Sequence, residues 1–191
     1  MSRVPTCPFL ITLKPKKTMA CSIAKGRVLP CKSSVGGLKN IYFANYDTDV
    51  AALSPTAGVI TIGTAAEFYK YEIKGNSSLE TAINSSRENG TTFYESTLNV
   101  TFTYLDAATQ EEIKLLAAGR PQVVIEDNNG KFFLMGKEHG AEVTGGTIVS
   151  GAAMGDLSGF TLTLTAQETA PPFFCSAAPS TIGATNIDPT A

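Results

Sequence analysis

The chain has 191 residues, a formal net charge of −2, 43% hydrophobic residues and only 17% charged ones. That length suits one medium domain with irregular ends, and the apolar fraction excludes a disordered chain. No run of about 18 apolar residues occurs, which excludes a membrane-spanning helix.

Charge is unevenly placed. Residues 1–18 carry Arg3, Lys14, Lys16 and Lys17 and no acid, which leaves 11 basic against 17 acidic residues, net −6, over residues 19–191. A body of that sign does not hold a phosphate backbone, whose binding depends on Lys and Arg. Residues 1–18 therefore read as a basic, Pro-containing, disordered extension. Met19-Ala20 reads better as a protein start than Met1. Pro8 to Leu13 is too short for the apolar core of an export signal, and Lys-Pro-Lys-Lys follows it, which argues against general secretion. Without export, Cys7, Cys21, Cys31 and Cys175 are expected to be reduced, and their isolation argues against a metal site.

The expected single β-rich domain spans residues 19–170. Ile23 to Leu29 reads as a first strand and Leu38 to Tyr46 as a second. Asp47 to Gly58 is a polar connection containing Pro55, long enough to have work at a surface. Val59 to Ile62 and Phe68 to Lys74 are short strands. Leu79 to Arg87 follows, then Glu88-Asn89-Gly90, whose Asn-Gly step predicts a tight primed turn.

Thr91 to Leu105 is the clearest strand. Tyr94, Leu98, Val100, Phe102 and Tyr104 alternate with Glu95, Thr97, Asn99, Thr101 and Thr103, a period of two that turns one face inward and a threonine-rich face outward. Asp106 then caps a helix over 107–118, with Ile113, Leu116 and Ala117 on its apolar face and Gly119 as its stop. Gln122 to Glu126 and Lys131 to Met135 form a hairpin around Asp127-Asn128-Asn129-Gly130. In the strand Gly140 to Ser150, Gly145-Gly146 predicts a bulge or a close backbone approach. After the small-residue loop Gly151 to Gly159, Phe160, Leu162, Leu164 and Ala166 alternate with Thr161, Thr163, Thr165 and Gln167. Beyond Pro171-Pro172 the pattern stops, so 171–191 reads as an irregular tail.

Reactive constellations are missing from this pattern, and no catalytic, cofactor or metal residue is assigned. His139 is the single imidazole. It follows Glu138 beside a hairpin strand and reads as an exposed turn residue. Glu111-Glu112 and Glu126-Asp127 are adjacent in sequence and do not face each other, so both pairs read as solvated faces. The glycine-rich pieces lack the ending of a phosphate cradle. Tyr69, Tyr71, Phe93, Tyr94, Phe102 and Tyr104 are assigned mostly to the core rather than to a stacking platform, because strand alternation turns most of them inward.

Several stretches resemble structural proteins of tailed bacteriophages, tail-tube-like proteins in particular. They are Ser85-Ser86-Arg87-Glu88-Asn89-Gly90-Thr91-Thr92-Phe93-Tyr94-Glu95, Leu105-Asp106-Ala107-Ala108-Thr109 and Val124-Ile125-Glu126-Asp127-Asn128-Asn129-Gly130-Lys131. Gly155-Asp156-Leu157-Ser158-Gly159-Phe160-Thr161-Leu162-Thr163-Leu164 and the Pro171-Pro172 exit continue it. The resemblance covers roughly residues 20–175. It implies a mainly β chain, a β-sandwich or small barrel with one flanking helix at about 107–118. It also implies a virion subunit, made in the host cytoplasm, that forms homo-oligomeric rings, touches other virion proteins and conducts DNA as passing cargo. Two further readings stand beside it: a β-sandwich module for sugars or surfaces, marked by exposed aromatics, and a small hydrolase using His139 and the acidic pairs.

Overall fold

A computed structural model describes residues 25–28, 32–62, 66–73 and 76–179. The chain divides into two units, Met1–Ser33 and Ser34–Ala191, and every assigned element belongs to the second. The expected extension 1–18 lies outside the described residues. Of the expected first strand, Lys25–Val28 has no regular structure and the rest is outside them; Lys25, Gly26 and Arg27 give it no apolar face to bury.

The fold is mainly β, a sandwich of two sheets. The larger sheet contains β1 (Leu38–Ala44), β2 (Val59–Ile60), β3 (Tyr69–Glu72), β6 (Gln122–Asp127), β7 (Phe132–Met135) and β10 (Phe173–Cys175), in the order β2-β10-β7-β6-β1-β3. The smaller sheet contains β4 (Ser78–Ser86), β5 (Thr91–Thr103), β8 (Glu142–Val149) and β9 (Gly159–Glu168), in the order β4-β5-β9-β8. Between the sheets, Ile41, Phe43, Val123 and Ile125 meet Leu98, Val100, Phe160, Leu162 and Leu164, all buried. That is the result the alternation of β5 and β9 requires.

The larger sheet is buried on its second face too. Tyr42, Val124 and Leu134 pack there against Val50, Ile60, Ile62 and Phe68. Its central strands therefore read as unbroken apolar runs such as Val123-Val124-Ile125. Val50 comes from a helix, α1 (Thr48–Ala52), inside the stretch expected to be a polar connection. Asp47 caps it by accepting from the Asp49 amide at 2.8 Å. Gln122, fully buried, holds it down: its Nε2 donates to Asp47 O and Lys137 O, and its Oε1 accepts from Asp47 N.

The second helix, α2 (Ala107–Ala118), starts and stops where expected. Asp106 accepts from the Thr109 amide at 2.7 Å, and Gly119 donates to Leu115 O. Ile113 and Leu116 lean on the core, whereas Ala117 is exposed, so the apolar face is narrower than expected.

Three other expectations change. Phe173–Cys175 is not tail but strand β10, parallel to β2 and antiparallel to β7; a three-residue strand is too short to show a period. Residues 180–191 lie outside the described residues. The Asn89-Gly90 step is not the expected primed turn, because Asn89 lacks a positive φ, and Asn129 in the β6–β7 hairpin lacks one too. Only Gly90 (φ 65) and Gly130 (φ 72) have one, so each loop ends in a left-handed glycine after an ordinary turn. In the second, Asp127 O accepts from Gly130 N while the Asp127 side chain accepts from Asn129 N and Lys131 N. Lastly, Tyr104 leaves the core, since its backbone turns left-handed (φ 80) at the end of β5 and its N–H donates to Ser158 O.

Candidate assembly surface

The smaller sheet has one face in the core and the other open. On the open face stand Glu80 of β4, Glu95, Thr97, Asn99 and Thr101 of β5, and Thr161, Thr163, Thr165 and Gln167 of β9, a placement set by the register Glu80–Thr97–Thr165. Glu142 of β8 pairs with Thr165 and joins them. The side chains bond across strands. Thr163 donates to Asn99 Oδ1 at 2.9 Å, Gln167 donates to Glu95 Oε1 at 3.2 Å, and the Thr147 and Thr161 hydroxyls lie 2.6 Å apart. None of the four strands contains a Lys or Arg, so the carboxylates of Glu80, Glu95 and Glu142 set the sign of this surface.

Among the described residues both edges of this sheet are open: β4 pairs only with β5, and β8 only with β9. The expected bulge is present between Val143 and Gly145. The close approach is present as well, since a Cβ on Gly146 would lie 2.6 Å from Thr161 O.

A second concavity, a groove of about 940 Å³, lies between β3 and α2. Tyr69, Tyr71, Leu115 and Leu116 give it apolar walls, while Asp106, Glu112 and Arg120 supply charge beside the paired Lys70 and Glu72. Arg120 stacks on Tyr46 at 4.4 Å, and Tyr71 sits edge-on to Phe43 at 5.1 Å. Burial, with the nearby Glu112 carboxylate adding to it, pushes the Tyr71 phenol up to about 12. Of the aromatics expected in the core, Phe102 is there and Tyr71 and Tyr94 are half-buried, but Tyr69, Phe93 and Tyr104 are exposed.

His139 is exposed in the loop after β7. Glu138 accepts from Thr169 Oγ1 at 2.9 Å, and the buried Glu168 accepts from the Glu138 amide at 2.7 Å. Burial raises the Glu168 carboxyl above its ordinary range, and the amide bond offsets part of that. Its role is to pin the loop, for which its acceptor oxygen suffices.

Glu111 and Glu112 are solvated as expected, but Glu126 is not. Strand alternation turns Glu126 onto the second buried face, where Asn40 Nδ2 (2.6 Å), Lys39 Nζ (3.1 Å) and Tyr42 Oη (3.2 Å) donate to it. Burial pushes its carboxyl up, yet these three bonds prevail and hold it below the ordinary value. Sequence spacing missed this cluster because its members come from two strands 84 to 87 residues apart. Among the described residues no group of three or more His, Cys, Asp or Glu is placed to hold a metal ion, and no helix is long and apolar enough to cross a membrane.

No protein-family model matches the sequence, and no curated protein matches it significantly. Among solved structures, a chain from the virion of a native gene transfer agent particle is similar over 55% of this chain and 88% of its own length, at 8% identity and a TM-score of 0.35.

Proposed function

We propose that this protein is a virion structural subunit that assembles with copies of itself into rings, of a tail tube or a head–tail connector, through which DNA passes. The observation that carries the reading is the open face of the smaller sheet: uncovered, hydrogen-bonded within itself, acidic, and free of cations. A surface of that kind can line a DNA passage without gripping it, because adhesion to phosphate requires cations that release its counterions. The two open edges, β4 and β8, supply the means of closure. Unpaired strand edges invite pairing with another chain, and joining two different edges is a head-to-tail contact that closes into a ring when its rotation allows.

The test is light scattering with negative-stain microscopy of the purified chain across a concentration series. Rings or short tubes are expected. A monomer that persists at high concentration sinks the proposal, as does retention of duplex DNA that weakens steeply with salt. The alternative, a sugar- or surface-binding module, would place its ligand in the groove beside Tyr69, and binding on a glycan array that Tyr69→Ala abolishes would favour it.

A further inference from the structure

β4 and β5 run further than the sheet that contains them. The β5–β9 ladder ends at Tyr94–Glu168, but β5 goes on pairing with β4 through Asn84–Phe93, Ser85–Thr92 and Ser86–Thr91. Three pairs at about 3.4 Å each carry a bare two-stranded ribbon roughly 10 Å past the last β9 contact, before the loop 87–90. Such a ribbon alone in water is marginal, and beside the polar Asn84, Ser85, Ser86, Thr91 and Thr92 this one exposes two large apolar side chains, Ile83 and Phe93, on opposite faces. Ile83 at its base is 68% exposed and Phe93 40%. The described residues bury neither side chain.

Resting on the self-assembly reading, we propose that this ribbon tip seats in the β3–α2 groove of a second copy of the chain. Three features of the groove match it. Leu115, 63% exposed, and Tyr69, 40%, offer the apolar contact that Ile83 and Phe93 lack. Among the described residues β3 pairs only with β1 and has an open edge along the groove, as β4 has along the ribbon, so backbone bonds of the strand-addition kind can form. The tip carries Arg87 followed by Glu88, and the groove carries Glu112 and Arg120, which allows two opposite-sign pairs. Ribbon and groove are different surfaces, so the contact is head-to-tail; it takes the Asn84–Ser86 end of the β4 edge and leaves Ser78–Ile83 for the edge contact with β8.

The test uses the full chain and reads the concentration at which it assembles. Ile83→Glu/Phe93→Ser and Arg87→Glu alter only exposed side chains, and circular dichroism is expected to show both folded. Each is expected to raise the assembly concentration about tenfold or more, since like charges brought together across an interface cost several kcal/mol. Adding Glu112→Lys to Arg87→Glu is expected to restore it. If the wild type forms rings and Ile83→Glu/Phe93→Ser forms the same rings at the same concentration, this docking is overturned and the ring reading stands. If the charge reversal restores nothing, the docking is overturned as well. If the wild type does not associate at all, the ring reading itself has failed.

Discussion

Glu126, Tyr42 and Tyr71 show how single groups tie this fold to pH. Burial first, then the Glu126 charge and hydrogen bond, push the Tyr42 phenol up to about 12 from 10.0, and burial does the same for Tyr71. Burial alone takes the Cys175 thiol up to about 12 from 9.0. In each case the fold favours the neutral form. The stabilisation is complete below the unfolded pKa and is lost as pH rises through the folded one. Urea midpoints should therefore begin to fall above pH 9 and fall more steeply between 10 and 12, and Tyr42→Phe/Tyr71→Phe should flatten that descent. An unchanged slope in the double variant would remove these phenols from the account. Glu126 works in the opposite sense: its lowered value gives stability above the ordinary carboxylate pKa, lost as pH falls through the folded one. At this scale the sequence was least legible. Glu126 was read as solvated because adjacent carboxylates do not face each other, and its donors came from a strand far away in the chain.

At the scale of elements the reading was far better, since caps, periods and glycine positions are local chemistry. Asp106 shows it: an aspartate before an apolar-periodic run placed α2 within its observed bounds. Asp106→Ala should cost about 1 kcal/mol, measured by chemical denaturation. Gly159 should be far less tolerant. A Cβ there would strike the Phe102 carbonyl oxygen and lie 3.0 Å from the Phe102 carbon, both backbone atoms of the adjacent strand that cannot step aside. Gly159→Ala is expected to destabilise more than Asp106→Ala, and the reverse order would contradict the close β5–β9 approach. Where an observed element was missed, the element was short. Five residues of α1 and three of β10 give no room for a period, and both stand because Gln122 or a neighbouring strand holds them.

For the whole molecule, the inequality of the two sheets matters most. Six strands face four, so the two sheets do not match in width, and a groove stays open between β3 and α2. The central core is nevertheless closed. Leu98 is fully buried between the sheets, and Leu98→Ala should cost about 2–5 kcal/mol. Leu115→Ala should be close to neutral for the folded monomer, because that side chain meets mostly solvent. Thermal unfolding of the two variants side by side checks the contrast, and equal losses would mean that the α2 surface is less open than described.

The sequence by itself determined the alternating strands, the capped helix, the glycine-ended hairpins and a body short of positive charge. All of these depend on residues within a few positions of one another, where steric and hydrogen-bonding preferences act directly. Only the tertiary structure decided that the larger sheet is buried on both faces, that the threonine face stays uncovered, and that the β4–β5 ribbon overshoots its sheet. Those outcomes depend on which strands become neighbours. Pairing of distant strands is settled by the burial they achieve together, and no local pattern records it.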